Sequence, residues 1–166
     1  ILGFAEYGNG LTTAGVYASV PTTLQLFGPG VPRPGQIVQV VQTSTISASS
    51  NAGTSFADTN LTANITPTSG ANYVSTVWFG ELQGSTASVP VAAALRRGGN
   101  VIGVSKILNS AAADIISNVG QPWLDSPNST ATLTYAVAIR VVSGTATAFF
   151  PNGAGGGILQ LAEVMG

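Results

Sequence analysis

Several residue types that carry most protein chemistry are missing from this 166-residue chain. It has no cysteine, which excludes disulfides, thiolate metal ligands and cysteine nucleophiles. It has no histidine, the commonest general base and metal ligand, so a serine–histidine–aspartate triad is excluded as well. No apolar run approaches the roughly 20 residues that span a bilayer, so no membrane partner is predicted.

Charge is also scarce. Charged residues make up 7% of the chain, against roughly 25% in a typical soluble domain. The 5 basic and 6 acidic residues leave a net charge of -1, which argues against a nucleic-acid partner. A polar surface built from Ser, Thr, Asn and Gly loses little desolvation energy when a partner buries it. This composition favours a constitutive oligomer over the alternative, a monomer with a neutral, threonine-rich coat.

The chain divides into an N-terminal arm, residues 1–27, a Pro/Gly linker, residues 28–35, and a β-domain, residues 36–166. Three prolines and three glycines block both a helix and a central strand in the linker. The arm is apolar without a clean helical period. It either packs on another molecule or completes the sheet of its own domain. Its candidate assembly contacts are Leu2, Phe4, Tyr7, Val16, Tyr17, Leu24, Leu26 and Phe27.

From residue 36 onward, short β-branched segments alternate with turn signals, which predicts an all-β fold. Strands are predicted at residues 36–43, near 55–58, and at 61–66, 73–79, 89–97, 101–108, 132–142, 145–150 and 158–164. Gly98-Gly99-Asn100 predicts one hairpin and Ser143-Gly144 a second. One or two helical turns are expected within Ser110–Asn118. About eight or nine strands without βαβ alternation predict a β-sandwich or jelly roll.

A search for catalytic groups returns little. The six carboxylates are Glu6, Asp58, Glu81, Asp114, Asp125 and Glu163, and none is close to another in sequence. Folding can bring two together, so a glycosidase pair is weighed and ranked low. No loop has the aspartate spacing of a calcium site, and no cofactor or metal is predicted. Arg96-Arg97 beside a turn suggests either an anion contact or two solvated cations.

Trp123 is the remaining candidate contact residue. It lies in Gly120–Pro127, a segment with two prolines that predicts a rigid loop. A tryptophan in such a loop anchors a subunit contact or stacks on a sugar. We expect Trp123 to form a subunit contact, and the next hypothesis is that its side chain caps the core.

Four segments, in order, resemble virion proteins of tailed bacteriophages such as those of cyanobacteria. They are residues 34–41 (PGQIVQVV), 56–67 (FADTNLTANITP), 123–137 (WLDSP with TYAV) and 158–164 (ILQLAEV). The resemblance covers about residues 34–165 and implies a β-sandwich, as a homotrimer, displayed on the virion. It supplies no catalytic residues.

These observations together predict a non-enzymatic structural protein on the outer surface of a phage particle. The leading hypothesis is a capsid decoration (cement) protein whose partners are itself and the phage shell or other virion proteins. The alternative is a receptor-binding tail-fibre tip, or another fibre or tail domain, with a host surface glycan as ligand. A polysaccharide-cutting enzyme is the third and least favoured hypothesis.

Overall fold

The computed structural model describes residues 33–103, 106–109, 112–152 and 155–166, which form eleven β-strands in two antiparallel sheets. The strands are β1 (Ile37–Thr45), β2 (Ser50–Asn51), β3 (Ala57–Ile65), β4 (Tyr73–Gly84), β5 (Val91–Arg97), β6 (Asn100–Val101), β7 (Lys106–Leu108), β8 (Ile116–Asp125), β9 (Leu133–Val141), β10 (Ala148–Phe149) and β11 (Gly157–Val164). The predicted all-β sandwich is confirmed. No helix occurs in these residues, so none of them forms a membrane-spanning helix.

One sheet, called sheet A, has the order β1-β11-β4, with β8 on the opposite side of β4. The two short strands β10 and β2 continue it beyond the end of β11. The second sheet, sheet B, has the order β3-β9-β5, followed by β6 and β7 along the far side of β5. Both sheets bury one face, since burial alternates along β3, β4 and β11 with the period of two that a half-buried strand requires.

The core lies between the inner faces of the two sheets. Trp78 of β4 is 1% exposed and meets the Phe150 ring edge-on, with the centroids 5.7 Å apart. Gly80, two residues along β4, leaves room for that ring, because a Cβ there would lie 2.6 Å from the Phe150 Cζ. Aromatic pairs in this geometry stabilise a core beyond their area alone.

The described residues begin with a turn at Arg33–Gln36. Gly35 has a φ of +82°, which glycine adopts at low cost, and the Gln36 amide donates to the Arg33 carbonyl oxygen at 2.9 Å. The Gly35 amide in turn donates to the Met165 carbonyl oxygen at 2.8 Å. The last residues of the predicted linker are therefore joined to the end of the domain. Residues 28–32 and the whole predicted arm, residues 1–27, lie outside the described residues.

The first predicted hairpin is confirmed, because Arg97 pairs with Asn100 across the Gly98-Gly99 turn. The second is wrong. After β9 the chain leaves sheet B, and Ala148 pairs with Gly84 and Asn51 in sheet A. The strand predicted near residues 55–58 is the first part of β3, with a register irregularity before Thr62.

The region from 110 to 127 also differs from its prediction. Ile116–Asn118 are not helical: they begin β8, which pairs with β4 from Gln83↔Ile116 to Val74↔Asp125. The expected rigid loop around Trp123 is the second half of the same strand. Pro122 is tolerated there because β8 pairs only with β4 among the described strands, and proline in sheets is confined to edge strands.

Candidate functional site

The outward side of sheet A is a largely apolar surface that none of the described residues covers, called the apolar face below. Neighbouring residues of β1, β11, β4 and β8 form rows across it: Val40, Ala162, Ser75, Leu124; then Gln42, Gln160, Val77, Pro122; then Ser44, Ile158, Phe79, Gly120. Ile37, Val164 and Tyr73 form a further row at one end. Phe79 is 52% exposed and Leu124 58% exposed. An apolar surface continuous over four strands marks an interaction site more often than scattered exposed residues do.

This face arises because β4 is apolar on both sides and its neighbours add further outward apolar residues. In β4, Val74 and Trp78 point into the core, while Val77 and Phe79 point outward. In β11, Leu159 and Leu161 are buried and the intervening positions are only partly so. A strand with one solvated side normally alternates apolar with polar residues, so two apolar sides indicate that both become covered.

Charge is displaced to the rim of the apolar face and to sheet B. Glu81 stands beyond the third row and accepts a hydrogen bond from the Gly155 amide at 3.1 Å. Sheet B holds Arg96, Arg97 and Arg140 on β5 and β9. The Arg140 guanidinium lies 4.8 Å from the centroid of the Phe56 ring, within cation–π range. The two sides of the sandwich therefore differ in chemistry.

The two arginines at the β5–β6 turn are engaged within the domain. Arg96 forms an ion pair with Asp58 at 2.7 Å and also donates to the Gly99 carbonyl oxygen. Arg97 forms an ion pair with Asp125 at 2.5 Å. Neither matches the expectation of a solvated cation, and these intramolecular pairs compete with any bound anion.

Trp123 faces inward from β8. Its side chain is partly buried and packs against the core, and its carbonyl oxygen accepts a hydrogen bond from Thr76 Oγ1 at 3.1 Å. This position agrees with the second hypothesis for Trp123, in which its side chain caps the core. A subunit contact through Trp123 stays a prediction, and its predicted loop setting is wrong. The other predicted contacts, Leu2 to Phe27, lie outside the described residues.

Folding brings two of the scattered carboxylates to the same part of the core. Glu163 on β11 and Asp125 on β8 both pair with Val74, one on each side of β4. Their Cα atoms are therefore about 10 Å apart, two strand spacings. Glu163 is 0% exposed and Asp125 8% exposed, so Val74 and the surrounding core separate both from solvent and from each other.

The Glu163 carboxylate is held by hydrogen-bond donors. Oε1 accepts bonds from the Thr68 amide at 2.7 Å, Thr68 Oγ1 at 2.8 Å and Asn72 Nδ2 at 2.6 Å, while Oε2 accepts from Gln39 Nε2 at 2.6 Å. Burial alone raises the pKa of Glu163, but these hydrogen bonds outweigh it and lower the pKa from 4.5 to about 2. The carboxylate is therefore ionised at neutral pH, whereas the general acid of a glycosidase has to carry a proton.

Asp125 is bound from the other sheet. It accepts a hydrogen bond from the Tyr135 hydroxyl at 2.6 Å as well as the Arg97 contact. Burial and then the Asp125 carboxylate raise the pKa of Tyr135 well above its ordinary 10.0, although Arg97 acts in the opposite direction. Within the described residues no group of three potential metal-ligating side chains occurs. Both carboxylates are hydrogen-bonded to groups of the fold itself.

Sequence reasoning missed the apolar face. The available signal was the 73–79 segment, which alternates poorly because both of its sides are apolar. That pattern indicates a strand covered on two sides.

No family model and no curated protein matches the sequence. Among solved structures, the chain is similar to the EclA C-terminal domain, described as a sugar-binding protein, with 17% identity and a TM-score of 0.31 over 90% of this chain and 94% of that one. It is also similar to a structure of infectious bursal disease virus Gx strain, at 11% identity and a TM-score of 0.40, and to the VP2 subviral particle of that virus, at 11% and 0.36. Each of these two matches includes 77% of this chain, but only 37% and 38%, respectively, of the viral chains. These similarities assign neither a family nor a function.

Proposed function

We propose that this chain is a non-enzymatic structural protein of a virus particle that works by assembling with copies of itself and with other particle proteins. The apolar face carries the proposal. Three of its four strands, β1, β4 and β8, expose large apolar side chains to solvent: Ile37, Val40, Val77, Phe79 and Leu124. Covering them stabilises an assembly by roughly 25 cal/mol for each Å² of apolar surface removed from water.

The carboxylates support the non-enzymatic part of the proposal. The two that flank Val74 in sheet A, Glu163 and Asp125, are buried and hydrogen-bonded by protein groups. Asp58 is paired with Arg96, and Asp114 accepts from Gln83 Nε2 at 3.1 Å. A hydrolytic pair needs an accessible acid and base on two sides of a substrate. The two buried carboxylates do not meet that requirement, which supports the non-enzymatic part of the proposal.

The finer proposal is a capsid decoration protein on the outer shell of a tailed phage. It rests on the sequence resemblance to phage virion proteins together with the low charge and the apolar face. A shell under internal pressure gains from added apolar contacts at its subunit junctions. The fibre-tip alternative names Trp123 as the first candidate for stacking on a sugar, and the inward, partly buried position of that side chain favours the decoration protein over it.

Copy number tests this function. Quantitative mass spectrometry of purified particles of the encoding virus should find this chain at a stoichiometry comparable with the major shell protein. Treating the particles with protease before disruption provides the control for location, since an outer-surface protein is cleaved before the packaged components are. A few copies per particle would indicate a fibre or tail part, and absence from the particle would overturn the proposal.

A further inference from the structure

We propose that the apolar face binds a second copy of this chain, face against face. The inference rests on the proposed function, because it names the surface through which the assembling chain meets its own copy. The face is the outer side of β1, β11, β4 and β8, centred between Ala162 and Val77.

The size of the face is sufficient for a self-contact. Four strands about 4.8 Å apart and about eight residues long, at roughly 3.3 Å per residue, cover about 500 Å². Two copies then bury on the order of 1,000 Å², the lower limit for a specific interface.

The chemistry of the face favours a copy of itself over a charged partner. The three central rows contain no charged residue, so packing two faces together desolvates no unpaired ion. A polyanion such as nucleic acid would require basic groups, and Arg96, Arg97 and Arg140 belong to sheet B. Neutral surfaces of this kind avoid the main penalty of self-association, the approach of like charges.

Shape and hydrogen bonding are also self-complementary. Small residues, Ala162, Ser75 and Gly120, lie beside the larger Val77 and Phe79, so projections and recesses occur on the same surface. In the central row Gln160 Nε2 donates to Gln42 Oε1 at 3.4 Å. Each amide has further donors and acceptors to offer to the same pair of a second copy. Two twisted sheets of this kind pack about 10 Å apart at roughly 30°.

Val77→Glu in the full chain tests the inference, with Val101→Glu as the matched control. Val77 is 41% exposed at the centre of the apolar face, whereas Val101 is 48% exposed on β6 of sheet B. In a face-to-face pair, Val77→Glu places like charges in a desolvated contact. The dissociation constant of the pair of copies should therefore rise by about 100-fold or more relative to the wild type. Sedimentation equilibrium measures it, and circular dichroism verifies that each variant is folded.

The expected result is a wild type that forms dimers, in contrast to the homotrimer that the resemblance implies, a monomeric Val77→Glu variant and a Val101→Glu variant that dimerises like the wild type. If Val77→Glu does not fold, Gln160→Glu replaces it, since that substitution adds charge in the same row at a position that is already polar. A folded face variant that associates like the wild type would overturn the inference. A wild type that stays monomeric would overturn it too, and would leave the N-terminal segment or another particle protein as the occupant.

Failure of this inference is distinguishable from failure of the proposed function. If the chain is abundant in the particle while its face variants still self-associate, the function stands and the interface is elsewhere. If the wild type associates through the face but is absent from the particle, the interface stands and the virion function is wrong.

Discussion

Glu163 is a fully buried carboxylate that four hydrogen-bond donors hold in its ionised form. The donors come from β1, from the turn after β3 and from the residue before β4, so one side chain connects three segments at an end of the sandwich. Replacing this carboxylate by an amide keeps one acceptor oxygen but turns an NH2 group towards one of these donors, which costs more than the bonds contribute net.

We predict that Glu163→Gln lowers the free energy of unfolding by about 2 kcal/mol at pH 7. The folded pKa of Glu163, about 2, is depressed below its ordinary 4.5. The stabilisation is therefore complete above pH 4.5 and is lost as the pH falls towards 2. Urea denaturation at pH 7 and pH 3 should show the difference between wild type and variant narrowing at the lower pH.

The same substitution at Glu81 is the control, because that carboxylate lies on the outer side of β4 and accepts one amide hydrogen bond. Its effect should stay within about 0.5 kcal/mol, as for ordinary surface changes. A Glu163→Gln penalty that is equal at both pH values would contradict the account of the charged network.

At the scale of elements, Asp125 joins the two sheets at the end of β8. The carboxylate belongs to sheet A, whereas Arg97 and Tyr135, which bind it, belong to β5 and β9 of sheet B. The edge strand β8 pairs only with β4 among the described strands, so this contact is a second attachment for its end.

We expect Tyr135→Phe to reduce stability by about 1–2 kcal/mol at neutral pH, since a buried carboxylate oxygen loses a donor. The raised folded pKa of Tyr135 adds a pH dependence. Its stabilisation is complete below the ordinary value of 10.0 and declines as the pH rises above it, because only the unfolded state ionises there. Thermal unfolding between pH 8 and 11 should show this loss in the wild type and a weaker one in the variant. Tyr73→Phe, at an exposed position, should retain the wild-type profile.

The strands with regular β-branched patterns, such as β1, β9 and β11, are predictable from the sequence. The strand β8 is not, because Pro122 and Gly120 indicate a loop unless one knows that the strand lies at an edge. The 145–150 hairpin fails for a related reason: a turn signal does not say which sheet the next strand joins. The apolar face depends on which strands are neighbours, so local patterns show only that β4 is apolar on both sides.

At the scale of the whole molecule, the sandwich has one neutral, apolar side and one side that carries the described ion pair Arg96–Asp58 and the Arg140–Phe56 contact. The two outer sides of the sandwich are therefore suited to different contacts. The face of sheet A is suited to contact with a copy. The arm, residues 1–27, is the segment predicted to reach the shell.

Deleting residues 1–27 should separate these two roles. The described core cluster draws on residues from Val41 to Leu161, and Gly35 is hydrogen-bonded to Met165, so the truncated chain should fold and retain self-association. Its binding to particles stripped of this protein should be lost, as measured by co-sedimentation. A full-length variant with Leu24, Leu26 and Phe27 changed to Ser is the matched control, because it keeps the length of the arm but not its apolar area. Shell binding that survives both changes would show that the arm is dispensable and that the β-domain itself contacts the shell.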